Sequence, residues 1–100
     1  MNTLKLVLKK KWFDMIASGE KKEEYRELTE YWESRLVTHP NWTDMAFFKE
    51  FDAVTFYLGY TKDRPSMTFK VKDIRIGLCK PEWSAGQCKS CFVIELGERI

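Results

Sequence analysis

Apolar and polar positions alternate at the start of the chain. Leu4, Leu6 and Leu8 fall on one side, with Lys5, Val7 and Lys9 between them. A period of two over this length predicts a strand with one face inward. The period then changes. Trp12, Met15 and Ile16, flanked by Phe13 and Ala17, recur at helical spacing until Ser18-Gly19, which predicts a short helix over 12–18. The stretch from about Lys22 to Glu27 alternates again, yet Tyr25 is almost its only apolar residue. Glu24 and Arg26 share one face and Glu23 takes the other, so this strand is not expected to be buried on both sides.

Leu28, Tyr31, Trp32, Arg35 and Leu36 lie on a single helical stripe, which predicts a second helix. Thr29 is placed to cap its start, and His39-Pro40-Asn41 ends it, because a residue before proline is pushed from helical angles. Asn41 and Asp44 resemble a capping pair for a further short helix through Phe48. From Ala53 the period returns to two, with Val54, Phe56 and Leu58 on one face and Thr55 and Tyr57 on the other. Gly59 breaks this run, and Asp63-Arg64-Pro65 marks a turn. Met67, Phe69 and Val71 then point inward in odd phase, whereas Ile74, Ile76 and Leu78 do so in even phase. A slip of one residue near Lys72-Asp73 predicts a β-bulge or a bend within one long strand. A loop is expected from Gly77 to Ser90, and Phe92, Ile94 and Leu96 make the last strand. About six short strands and two early helices predict an α+β chain whose strands close, or nearly close, into a small barrel.

Composition changes this picture little. One hundred residues, 44% of them hydrophobic, suffice for one domain, taken as residues 1–100, with one modest core. The net charge is +2 but unevenly spread. Residues 1–22 carry six lysines against Asp14 and Glu20, whereas 23–50 carry seven acids against three bases. This permits an anionic ligand at a basic edge without matching a dedicated duplex binder. No signal-peptide core or membrane-length apolar run is visible, so a cytoplasmic protein without a membrane role is expected. Cys79, Cys88 and Cys91 are then expected as reduced thiols. Cys88-x-x-Cys91 lacks the further ligands that zinc needs, and the single histidine, His39, is remote. Neither a metal, another cofactor nor a thiol redox function is expected.

The candidate chemistry lies in Gly19-Glu20-Lys21-Lys22-Glu23-Glu24-Tyr25-Arg26. Arg26 can present a planar fork to a phosphate or a base carbonyl, Glu24 can accept from an exocyclic amine, and Lys21 adds a cation. On an extended strand Lys21 has the opposite parity to Glu24 and Arg26. It joins them only if the chain curls at Gly19-Glu20. The bland alternative is an exposed Glu24–Arg26 pair that wards off strand pairing. Lys5 and Lys9-Lys10-Lys11 supply a basic edge nearby. Among the aromatics, Trp12 and Trp32 are expected mainly in the core. Tyr60, beside Gly59 and ahead of Lys62 and Arg64, is the best stacking platform, with Trp83 next.

Gly19-x-Lys21-x-x-Glu24-x-Arg26, after the first helix of a chain this short, resembles the signature of the ASCH domain (activating signal cointegrator homology). The resemblance extends through Lys9-Lys10-Lys11-Trp12-Phe13, Gly59-Tyr60, Lys72-Asp73-Ile74-Arg75-Ile76-Gly77 and Pro81-Glu82-Trp83. It implies a PUA-like β-barrel of the small bacterial or phage type, with a cleft beside the motif for RNA, a nucleotide or a modified nucleoside. Some members of that family are amidohydrolases acting on acetylated cytidine, and nuclease activity is associated with others. In the amidohydrolase branch the motif lysine works with a threonine, where this chain has Glu24. The expectation is therefore an RNA- or nucleotide-binding domain using Lys21, Glu24, Arg26, Tyr60, Arg64 and Trp83. The second reading is a small hydrolase or ribonuclease with Lys21 and Glu24 as catalytic residues. A third is a protein-interaction module that uses the acidic stretch Glu23 to Glu33.

Overall fold

The computed structural model describes residues 2–38, 47–60, 62–87 and 89–100. The chain begins with β1 (Thr3–Leu8), α1 (Lys10–Ala17), β2 (Glu23–Arg26) and α2 (Glu30–Leu36). Two short strands follow, β3 (Val37–Thr38) and β4 (Phe47–Phe48), and then β5 (Ala53–Leu58), β6 (Ser66–Leu78) and β7 (Ser90–Arg99). Five strands make one sheet in the order β1-β5-β6-β7-β2, and β3 pairs with β4 in a small second sheet. Only β1 and β5 run parallel. Every other neighbour in the large sheet is antiparallel.

The phase slip in the hydrophobic pattern has a physical counterpart. Across β6 and β7 the register shifts between Phe69 and Val71 and again between Val71 and Asp73. Such irregularities increase local twist and bend the strand. The five-stranded sheet accordingly curls into a half-barrel. Its two outer strands approach closely enough for Arg26 Nη2, on β2, to donate to the Val7 carbonyl on β1 at 3.2 Å. The inward residues Leu4, Leu6 and Leu8 pack with Val54, Phe56, Phe92 and Ile94 in one core, which also takes Phe13 and Ile16 from α1 and Leu36 from α2. Alternation along the strands thus becomes one buried concave face, and the helical stripes supply its cover.

Two boundaries differ from expectation. Phe47 and Phe48 are strand, paired with Thr38 and Val37, not the end of a short helix. The rest of that expected helix, with the His39-Pro40-Asn41 stop, lies outside the described residues. The loop expected from Gly77 starts later, because β6 continues to Leu78 and a single 3-10 turn forms at Pro81–Trp83. Among the described residues the α+β class and the two helices stand, while the large sheet has five strands and is half closed. No helix is long and apolar enough to cross a membrane, among the described residues.

Candidate functional site

Gly19 settles which way Lys21 points. It follows the C-cap Ser18 and takes φ +85°, the left-handed conformation that glycine adopts freely. Its N–H bonds the Ile16 carbonyl and the Lys21 N–H bonds the Met15 carbonyl, at 3.1 and 3.0 Å. The chain therefore curls back under α1, and Lys21 turns toward the face that carries Glu24 and Arg26.

The three charged side chains form a connected cluster. Lys21 Nζ donates to Glu24 Oε1 and to the Trp83 carbonyl, each at 3.0 Å. The same ammonium lies 4.2 Å from the centre of the Trp12 ring, in cation–π range. Glu24 Oε1 also accepts the Tyr25 N–H at 3.1 Å, and Glu24 Oε2 accepts Arg26 Nη2 at 2.7 Å. Arg26 places its guanidinium 4.8 Å from the Trp32 ring centre. Its Nε is buried and makes no hydrogen bond among the described residues. Side-chain exposure is only 2% for Lys21 and 6% for Glu24, so this is no solvated edge pair. Breaking a buried pair by removing one partner typically costs about 3–5 kcal/mol, whereas an exposed pair contributes about 0–1 kcal/mol.

The cluster lines a cleft of about 460 Å³. One wall is the end of β1 and the start of α1, through Val7, Lys9 and Trp12, and another is β2. The third comes from the β6–β7 connection, through Trp83, Ser84, Ala85, Gln87 and Lys89. Volumes of about 300–1,000 Å³ are usual for small-ligand sites. Its charged lining consists of Lys9, Lys21, Arg26 and Lys89 against Glu24 and Glu27, an excess of two positive charges. Lys89 and Glu27 pair loosely at 3.7 Å. Trp12, Tyr25 and Trp83 supply aromatic surface.

At the edge of the cleft, Tyr25 donates to Glu23 Oε1 at 2.6 Å and accepts the Lys80 N–H at 3.2 Å. Burial, reinforced by the Glu23 contact, raises its phenol above the ordinary tyrosine value. Tyr25 packs there against Cys79, Cys91 and Val93, a small second cluster under the β6–β7 connection. The two sulfurs are 2.6 Å apart and both cysteines are buried and free. Burial and the Cys79 contact push the Cys91 thiol up to about 12.

Of the residues singled out in the sequence, Lys21, Glu24, Arg26 and Trp83 line this cleft together. Tyr60 and Arg64 do not. Tyr60 is 86% exposed on the β5–β6 connection, while Arg64 donates to the Gly59 carbonyl at 3.0 Å and stacks on Tyr57. The Gly59 N–H bonds the Leu8 carbonyl, so this loop abuts the cleft wall without lining it. Trp12, expected mainly in the core, packs against the core and also carries the Lys21 ammonium. Tyr25 and Lys9 are further lining residues. For Trp12 the available signal was its place just after three lysines. Among the described residues no group of three or more His, Cys, Asp or Glu side chains could hold a metal ion. Cys88 lies outside the described residues.

Set against family models, curated proteins and solved structures, the chain matches none.

Proposed function

We propose that this chain is a nucleotide- or RNA-binding domain of the ASCH type, acting in the cytoplasm, with its half-barrel a variant of the PUA-like barrel. The observation that carries the reading is the buried Lys21–Glu24–Arg26 cluster, flanked by Trp12 and Trp83, in a cleft with surplus positive charge. A phosphate suits that charge and a base suits the aromatic walls. Arg26 keeps donor capacity for such a ligand, since its two bonds both run from Nη2.

Binding is favoured over hydrolysis because the other two groups are largely engaged with each other and with their neighbours. Lys21 Nζ already donates to Glu24 and to the Trp83 carbonyl and lies over the Trp12 ring, which leaves it at most one N–H for a developing oxyanion. Glu24 already accepts from three donors. The acidic stretch is split by the fold, with Glu23 bonded to Tyr25 and Arg75 and Glu24 buried, while Glu27, Glu30 and Glu33 are exposed.

Titrating short single-stranded RNAs and nucleoside monophosphates while following tryptophan fluorescence tests the reading. The expected result is a saturable change that weakens as salt rises, with a shallower salt dependence after Lys9→Ala. Acetylcytidine incubated with the protein is expected to stay intact. Release of cytidine that is abolished by Glu24→Gln would favour the hydrolase instead.

A further inference from the structure

Cys79 follows β6 and Cys91 opens the buried part of β7. Cys91 sits opposite Gly77 in the strand register, and the Cys79 N–H bonds the Lys89 carbonyl at 3.0 Å, so the two cysteines are diagonal neighbours across the strand pair. Their side chains share the convex face, with the Cys79 thiol in contact with the Cys91 sulfur at 2.6 Å. Exposure is 4% and 1%, and Tyr25 and Val93 complete the enclosure. The chain between them forms the third wall of the cleft, and it carries the Trp83 carbonyl that accepts from Lys21. That wall is otherwise held mainly by bonds within its own turn, where the Trp83 N–H bonds the Lys80 carbonyl and the Ser84 and Gly86 N–H groups bond the Pro81 carbonyl. Ser84 Oγ bonds the Lys80 and Gln87 carbonyls, and Ala85, a non-glycine residue, is at φ +56°.

We propose that Cys79 and Cys91 are an oxidisable pair, which a small peroxide reaching them from the cleft converts to a disulfide that ties the base of the Trp83 wall. Both cysteines border the cleft, which gives a small oxidant its route. One thiol sulfur attacks a peroxide oxygen and the O–O bond breaks, giving a sulfenic acid and water. The second sulfur then displaces that hydroxyl, which leaves as water with the second thiol's proton. Two thiols and one hydrogen peroxide thus become one disulfide and two waters. The sulfurs already touch, so the second step needs no long backbone excursion. Burial keeps the Cys91 thiol protonated, so the first step is slow and bulky thiol reagents are excluded. The same enclosure shields the finished bond from bulky reductants. The device is a slow, durable lock on one wall of the cleft, and it does not depend on which ligand the cleft takes.

The test treats the full chain with hydrogen peroxide, alkylates the remaining thiols under denaturing conditions and reads the intact mass. Because Cys88 is also present, the decisive arm is the Cys88→Ser variant. It is expected to lose two hydrogens and to accept no alkylating group, and addition of a reductant after unfolding should restore both thiols. Amide hydrogen exchange over residues 80–87 should slow in the oxidised form, measured on the same variant. Cys79→Ala and Cys91→Ala should each fail to give the exchange change. The proposal is overturned if the variant keeps both thiols, or if it gains oxygen atoms instead of losing hydrogens. It is equally overturned if only chains that retain Cys88 form a disulfide. None of these readings involves a ligand, so failure here leaves the nucleotide titration to be judged separately.

Discussion

At the residue scale, the site is decided by how completely Lys21 and Glu24 are withdrawn from water. A lysine at 2% side-chain exposure is tolerable only because a carboxylate, a carbonyl and an aromatic face surround it. Lys21→Met keeps much of the apolar stem and removes the charge, leaving Glu24 with Arg26 as its one ionic partner. Stability in urea is expected to fall by roughly 3–5 kcal/mol, the cost of breaking a buried pair. A loss under about 1 kcal/mol would mean that the pair is screened as a surface bridge is. Arg26 has a different job. Through Nη2 it joins Glu24 on β2 to the Val7 carbonyl on β1, which ties the two outer strands together.

At the element scale, one glycine and one bulged strand do most of the positioning. Nothing stands within 4 Å of where a Cβ on Gly19 would sit, so Gly19→Ala is opposed by backbone conformation alone. It is expected to cost about 1–2 kcal/mol, read from the denaturation midpoint. A wholly neutral result would contradict the left-handed turn that brings Lys21 inward. Much of this was legible in the sequence. Ser18-Gly19 marked the end of α1, and the change of phase before Ile74 located the bend in β6. The charged cluster was legible as a motif, but the parity of Lys21 was not, because parity along a strand says nothing about a residue just before it. Tyr60 misled for a similar reason. An aromatic beside a glycine and two basic residues looks like a ligand platform, yet which wall a hairpin loop faces is set by sheet closure. Nor did twelve residues of separation suggest that Cys79 meets Cys91. The nearer Cys88 drew attention, whereas contact across a strand pair depends on register.

At the scale of the whole molecule, the half-barrel leaves its two outer strands close but unpaired, and the cleft occupies that gap. The convex face is tied down separately. Arg75 reaches Glu23, Asp73 and Glu95, which links β2, β6 and β7, and these contacts raise its guanidinium and lower the Glu95 carboxyl. Two acids beside them, the half-buried Tyr25 and the buried Cys91, give the fold a pH signature. Tyr25 and Cys91 both have folded values raised above their unfolded ones, near 10 and 9 respectively. Their contribution is therefore fully present below pH 9 and is lost as the unfolded chain releases protons that the folded chain retains. The reduced protein should lose stability from pH 9 upward through about 12, and Cys91→Ala should flatten the first part of that decline. Chemical denaturation across that range checks it, and a stability that rises with pH there would reverse the sign. The proposed ligand site is the cleft between the two outer strands. Its most direct measurement is a ¹H–¹⁵N NMR titration of the native chain with short single-stranded RNAs and nucleoside monophosphates. Shifts should concentrate at Lys21, Glu24, Arg26 and the Trp83 indole, leaving Tyr60 and the β5–β6 connection unmoved. Shifts scattered over the surface, or none with any of these ligands, would contradict the account.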